Sequence, residues 1–182
     1  MEKRFEHMYQ SNEDIPLILK SYEDIFSDFD PRPYSEKALS VDFISECKHA
    51  AADKKGRINL KLFVPKGKRE PAEEIKIKKR MKEHFNHHLN LERKEIGKQN
   101  LVGFNWLIAG CFLTVITAIF MDTENLGVKI LVNTTHPGGW FFLWEGLAKL
   151  IIDYHAKRQN YNFYRKMNDA LISFHDCKAF KC

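Results

Sequence analysis

Four polar residues interrupt an apolar segment of the chain, and their side chains are the ones best placed to do chemistry there. They are Asn133, His136, Glu145 and Lys149. Ionisable groups within a membrane are costly to bury, so such residues are by default candidates for an ion or substrate pathway. Two interpretations of Glu145 stay open. It can line a cation pathway built from several copies of the chain, or form a local ion pair with Lys149 four residues later.

The aromatic residues beside this group favour a membrane boundary. Trp140 and Trp144 lie within GWFFLWEGL, and tryptophan is enriched where a bilayer meets water. The sequence therefore predicts that these two side chains are interface anchors.

A second group with possible chemistry consists of His84, His88 and Glu92. Spacings of four residues place them on one face of a helix, where imidazoles and a carboxylate can bind a transition metal. No HExxH motif or further ligand pair accompanies them, so solvent-exposed histidines are the favoured interpretation. The four cysteines form no CxxC pair, and the sequence contains neither a GxSxG motif nor a glycine-rich phosphate loop. We therefore expect no enzyme and no bound metal or cofactor.

The membrane assignment comes from residues 101–121, which carry no charge. As a helix they extend roughly 30 Å, the thickness of the hydrocarbon core of a bilayer. Residues 129–152 are long enough to cross the membrane a second time, in the opposite direction. Their NTTHPGG run allows three geometries: a kinked spanning helix, which we favour, a short span with this run outside the membrane, or a re-entrant segment. MEKRFEHMYQ has no apolar core typical of a cleaved signal peptide.

Basic residues set the expected orientation. Lys and Arg are frequent before the first span and after the second, whereas Lys129 alone lies between the two spans. The positive-inside rule then places both termini in the cytoplasm and the protein in the inner (plasma) membrane. The lipid bilayer is the expected partner, with a homo-oligomer or another membrane protein possible, and nucleic acid is disfavoured because no recognised binding pattern accompanies the charge.

The polar flanks predict a small soluble fold. RINLKLFV at residues 57–64 alternates apolar and polar positions, as a half-buried strand does. Ser40 is placed to cap a helix with apolar positions at Val41, Ile44, Cys47 and Ala51. A second helix begins at Pro71 and can continue into the membrane, and short strands are expected near residues 15–19 and 170–174. The predicted fold class is α+β: a small cytoplasmic domain, a long helical stalk and a transmembrane hairpin of two helices.

Four regions follow along the chain. Residues 1–70 form an N-terminal cytoplasmic α+β region, residues 71–100 the helical stalk, and residues 101–152 the transmembrane hairpin, with spans at about 101–121 and 129–152. Residues 153–182 form a C-terminal cytoplasmic helix and strand that pack on the N-terminal region.

At DFDPRPYSEKALSVDFISE and GWFFLWEGL the chain resembles a group of uncharacterised prokaryotic membrane proteins with two spans. The resemblance implies the same topology and no known activity or site residue. The sequence thus predicts an integral membrane protein that acts as a scaffold, sensor or accessory subunit of a membrane complex. The alternative is a small oligomeric ion channel or transporter, with a polar pathway formed by the second span.

Overall fold

The structure is a computed structural model that describes residues 13–54 and 56–177. Its strands are β1 (Asp14–Ile18), β2 (Asn59–Val64) and β3 (Leu171–Asp176), and its α-helices are α1 (Val41–Ala52), α2 (Pro71–Ile119), α3 (Leu126–Ala148) and α4 (Tyr154–Asp169). A π-helical turn, Lys149–Asp153, joins α3 to α4. The terminal segment MEKRFEHMYQ, on which the absence of a signal peptide was predicted, lies outside the described residues.

The three strands form one parallel sheet in the order β1-β2-β3. Leu60 of β2 is level with Ile15 of β1 and Ile172 of β3. Along β2, Leu60, Leu62 and Val64 are fully buried, and the residues between them are partly exposed. This alternation confirms the strand predicted from RINLKLFV, because successive side chains of a strand point to opposite faces.

Helices cover the buried face of the sheet. α1 contributes Phe43, Cys47 and Ala51 to the hydrophobic core. Val41 was predicted to belong to this face but is 80% exposed, so the buried stripe of α1 begins at Phe43. The side chain of Ser40 makes no cap hydrogen bond, although Ser40 is the N-cap residue.

The N-terminal part of α2 and the end of α4 complete the same core. Met81 and Phe85 of α2 are fully buried in it, together with Phe163 and Met167 of α4. Phe85 meets Phe163 edge to face, with the ring centroids 6.3 Å apart. Met81 and Phe85 therefore hold the start of α2 against the core of the sheet.

The described residues divide into two compact units. One contains the residues up to Asn90 and from Asn162 onward, and the other is Leu91–Tyr161. The first unit, called the sheet unit below, holds all three strands. The second, called the helical unit, contains the C-terminal part of α2, the whole of α3 and the start of α4. The combination of helices with a small sheet is confirmed as predicted.

Candidate functional site

Glycines lie at the contact between α2 and α3 in the helical unit: Gly103, Gly110, Gly139 and Gly146. A Cβ atom added to Gly110 would lie 2.7 Å from the backbone nitrogen of Leu143, and one added to Gly103 would lie 2.9 Å from Cγ of Leu150. Because Gly103 meets Leu150 and Gly110 meets Leu143, the two helices run antiparallel at this contact. The missing side chains allow this close approach of the helices.

Large apolar side chains on α2 and α3 point away from this contact and are exposed. We call them the outer apolar surface; its members include Leu101, Phe104, Phe112, Val115, Ile119, Ile130, Leu131, Trp140, Phe141 and Trp144. In the most apolar 18-residue stretch of α2, 17% is buried. A core helix of a water-soluble protein buries most of its apolar side chains, whereas an exposed apolar surface of this size is typical of a site that contacts a membrane or another protein.

By its length and composition, α2 can cross a membrane, and it is the one such helix among the described residues. α3 does not meet the same criterion, because its 23 residues include the polar run NTTHPGG. One span is therefore supported by composition, and a second span stays a prediction.

His136 lies at the contact between α2 and α3. Its Nδ1 is 3.3 Å from Oγ1 of Thr117, and that hydroxyl also donates a hydrogen bond to the backbone oxygen of Thr114. A threonine hydroxyl has one proton. When Thr117 donates that proton to the backbone oxygen of Thr114, the imidazole of His136 must be the donor to Oγ1 of Thr117. Pro137 follows directly and provides no N–H for the carbonyl of Asn133. His136 thus connects the polar run of α3 to α2.

Glu145 and Lys149 form an ion pair, with Oε1 and Nζ 2.7 Å apart. The Glu145 side chain is 36% exposed and that of Lys149 is 27% exposed. Lys149 is also the first residue of the π-helical turn, and such turns are frequent at functional sites. Within a single chain the lysine neutralises the carboxylate, so a cation pathway along Glu145 would require this pair to open.

The four predicted polar residues are not gathered into one site within the chain. His136 and Glu145 are about 13 Å apart along the helix axis by helical rise. Asn133 is exposed and lies roughly 120° around the axis from Glu145. Trp140 and Trp144 are exposed members of the outer apolar surface, and their role as interface anchors stays a prediction. Glu145 and Lys149 are the two that the fold brings into contact.

The histidines of α2 belong to the sheet unit and are more enclosed than the sequence indicated. The rings of His84 and His88 have centroids 4.3 Å apart, and His88 stacks on Tyr164 of α4 at 5.1 Å. Nε2 of His84 is buried and has no hydrogen-bond partner. Among the described residues no group of three or more His, Cys, Asp or Glu side chains could hold a metal ion. His84 and His88 are partly buried, because α4 covers this part of α2. The expectation that these two histidines are solvent-exposed is therefore wrong.

Burial lowers the pKa of His84 to about 4, and the nearby His88, Arg80 and His87 lower it further. In the unfolded chain this imidazole takes up a proton near pH 6.5, whereas in the folded unit it stays neutral to about pH 4. Its contribution to stability is thus complete above pH 6.5 and is lost as the pH falls toward 4. We expect the sheet unit to lose roughly 1–2 kcal/mol over this interval, after allowance for solvent reaching the ring.

Amide hydrogen exchange of β2 in the full-length protein, corrected for intrinsic exchange rates, measures this loss. His84→Leu should flatten the pH dependence between 6.5 and 4, whereas His49→Gln, a change at an exposed position of α1, should leave it intact. Equal slopes in the wild type and in His84→Leu would show that His84 is not the titrating group.

A cluster of polar side chains on the more open face of the sheet was not predicted from the sequence. Asp14 accepts hydrogen bonds from Asn59 at 2.9 Å and from Lys61 at 2.5 Å, across the β1–β2 pair. On β3, Oγ of Ser173 lies 2.9 Å from Nε2 of His175. These residues become neighbours only through the parallel pairing of β1, β2 and β3. Their spacing along the sequence therefore could not reveal this cluster.

Ser173 and His175 resemble a nucleophile and a base, but the rest of a catalytic arrangement is missing. Burial lowers the pKa of His175, and nearby Lys61, Arg69 and Lys78 lower it further. In the part of the chain that the structure describes, no carboxylate is hydrogen-bonded to this ring. Nucleophilic catalysis needs such an orienting group and donors for the oxyanion. The pair therefore gives no support for an enzyme.

A cleft of about 670 Å³ lies between the loop at Pro31 and the first turns of α2. Its lining is rich in lysine and arginine, but carboxylates neutralise most of these cations. Lys37 pairs with Glu23, and Lys76 pairs with Glu73 at 2.8 Å. The cleft is accordingly a network of surface ion pairs, which contribute little individually.

No family model matches the chain, and neither a curated protein nor a solved structure matches it significantly.

Proposed function

We propose that this protein crosses the membrane twice, with the C-terminal part of α2 and the whole of α3 forming a transmembrane hairpin. The observation that carries the proposal is the outer apolar surface, which covers both helices and not α2 alone. Because tightly packed glycines occupy the contact between the helices, the large apolar side chains of α2 and α3 are left to face lipid.

The polar composition of α3 is compatible with a bilayer because several of its polar side chains have partners within the helical unit. Thr134 and Thr135 donate hydrogen bonds to backbone oxygens one turn earlier, at 3.0 and 2.7 Å. His136 is bonded to Thr117, and Glu145 to Lys149. Polar side chains that have hydrogen-bond partners lower the free-energy cost of inserting a helix into a membrane. A hydropathy scale based on composition alone does not include this effect.

The sheet unit is proposed to lie in the cytoplasm and to act as a scaffold, sensor or accessory subunit of a membrane complex. The loop before α1 supports partner binding. Phe29 is 97% exposed there, and the next residue, Asp30, fixes the loop by accepting hydrogen bonds from Arg32 and from the backbone N–H of Ala38. A rigid exposed aromatic side chain binds a partner at low entropic cost. Self-association through the outer apolar surface is part of this proposal.

Cysteine labelling tests the topology. In a cysteine-free background, Glu124→Cys should react with a membrane-impermeant thiol reagent in intact cells, because this exposed residue lies between α2 and α3. Glu124 is a better position than its neighbour Asn125, whose side chain caps α3 by accepting from the N–H groups of Gly127 and Val128.

The matched control is Ser35→Cys, an exposed position in the sheet unit. It should react only after the membrane is permeabilised. Labelling of both positions in intact cells, or of neither, would contradict two spans with a cytoplasmic sheet unit.

A further inference from the structure

A groove on the side of the helical unit combines an apolar part with a polar end. Its volume is about 600 Å³, and its lining residues are Gly97, Asn100, Leu101, Phe104, Leu150 and Tyr154. Leu101, Phe104 and Leu150 provide the apolar part. Asn100 and the hydroxyl of Tyr154 provide hydrogen-bonding groups. The groove therefore changes from apolar to polar at the point where the charge-free run of α2 begins.

Two arginines lie beyond the polar end of the groove. The guanidinium of Arg158 lies 5.5 Å from the ring centroid of Tyr154. Arg93 lies four residues before Gly97 on α2, so it shares the helix face that lines the groove. Both side chains are exposed, and in the described part of the chain neither is paired with a carboxylate. Their charges are thus available to an anion.

We propose that this groove binds one anionic phospholipid of the cytoplasmic leaflet. Arg93 and Arg158 contact the phosphate and the anionic headgroup, while the acyl chains lie along Leu101, Phe104 and Leu150. Guanidinium groups form strong hydrogen bonds with phosphate oxygens, and basic pockets between helices at the cytoplasmic side suit anionic headgroups. The site depends on the proposed membrane topology, because that topology places the polar end of the groove at the cytoplasmic boundary.

Gly97 allows the groove to be closed without damage to the fold. A Cβ atom at this position meets no atom within 4 Å, so Gly97→Leu fills open space, and leucine also favours a helix more than glycine does. The full-length protein in detergent is mixed with phosphatidylglycerol or phosphatidylcholine, and bound lipid is counted by native mass spectrometry. We expect the wild type to retain phosphatidylglycerol in preference, and Gly97→Leu to lose it.

Arginine substitutions separate charge recognition from the shape of the groove. Arg93→Gln and Arg158→Gln should each weaken phosphatidylglycerol binding by about tenfold, with little effect on phosphatidylcholine. The controls are Gly138→Leu, where an added Cβ also meets no atom within 4 Å, and Lys79→Gln, an exposed cation of the sheet unit. Both controls should bind like the wild type.

Equal retention of the two lipids by the wild type, or unchanged binding by Gly97→Leu, would overturn the lipid site. Either result would leave the topology standing if Glu124→Cys is still labelled from outside. Failure of that labelling would instead contradict the two-span topology, whatever lipid is retained in detergent.

Discussion

Gly110→Ala is expected to destabilise the helical unit by about 1–3 kcal/mol, the usual cost of adding atoms to a filled contact. The added methyl carbon would lie 2.7 Å from the backbone nitrogen of Leu143 and 3.0 Å from the backbone oxygen of Gly139. Backbone atoms cannot rotate away as a side chain does, so α2 and α3 must separate. Gly110→Leu should cost more, because its larger side chain meets the same obstacle.

Tryptophan fluorescence reports this change selectively. All three tryptophans of the chain lie in the helical unit, and the ring of Trp106 on α2 is 4.9 Å from that of Phe142 on α3. Thermal unfolding of the full-length protein in detergent should therefore shift to lower temperature in Gly110→Ala. Gly138→Ala should not lower the transition, because its methyl group enters open space. Identical transitions for Gly110→Ala and the wild type would mean that α2 and α3 do not meet at Gly110.

Local patterns in the sequence predicted the elements of the sheet unit well. The alternation in RINLKLFV located β2, and the apolar segments near residues 15–19 and 170–174 located β1 and β3. No helix breaker follows Pro71 until Gly97, so the sequence allowed the stalk helix to continue into the apolar run, and α2 does continue through Gly97 to Ile119. These signals depend on neighbours within one or two helical turns, so they are present in the sequence itself.

The parallel order of the strands could not be predicted in the same way. A parallel pair requires a long connection, and the one between β2 and β3 contains α2, α3 and α4. Nothing near β3 specifies that Ser173 will lie beside Lys61. The enclosure of His84 has the same origin, because the ring that stacks on its neighbour His88 comes from Tyr164, far along the chain.

The run NTTHPGG shows how tertiary contacts override a local rule. Proline and glycine both weaken an isolated helix, yet α3 is helical from Leu126 to Ala148 with Pro137 inside it. Close packing of Gly139 on Thr114, with 2.8 Å from an ideal Cβ to Oγ1, gives this glycine a role at the helix contact. A residue that weakens an isolated helix can thus stabilise a pair of helices.

Arg69→Met is expected to destabilise the sheet unit by about 3–5 kcal/mol. Arg69 contacts both oxygens of Glu74, at 2.8 and 3.0 Å, and Oδ1 of Asp176 at 2.6 Å. The Glu74 side chain is 8% exposed and also accepts a hydrogen bond from the hydroxyl of Tyr22. Methionine would leave this carboxylate buried without its cation, and the ion-pair link from Glu74 of α2 to Asp176 of β3 would be lost.

Hydrogen exchange of β2 and β3 in the full-length protein measures the loss. The pKa of Glu74 is lowered chiefly by the hydrogen bonds from Arg69. The contribution of Glu74 to the stability of the sheet unit is therefore complete above the pKa of the unfolded chain, about 4.3. It is lost as the pH falls through the lower pKa of the folded protein. Arg69→Met should abolish this acid dependence. Adding Glu74→Gln to Arg69→Met should recover part of the stability at pH 7, since no buried charge is then left unpaired.

Arg32→Met is the control, because Arg32 is 53% exposed and pairs with Asp30 at 2.7 Å. The Asp30 carboxylate is 11% exposed, but it keeps hydrogen bonds from the backbone N–H groups of Arg32 and Ala38 when the guanidinium is removed. Such a surface pair is worth about 0–1 kcal/mol, so this variant should exchange nearly as the wild type does. Equally small losses in Arg69→Met and Arg32→Met would show that water reaches Glu74 and replaces its cation. The link from α2 to β3 would then depend on apolar packing at Ile77 and Phe174, both in the hydrophobic core.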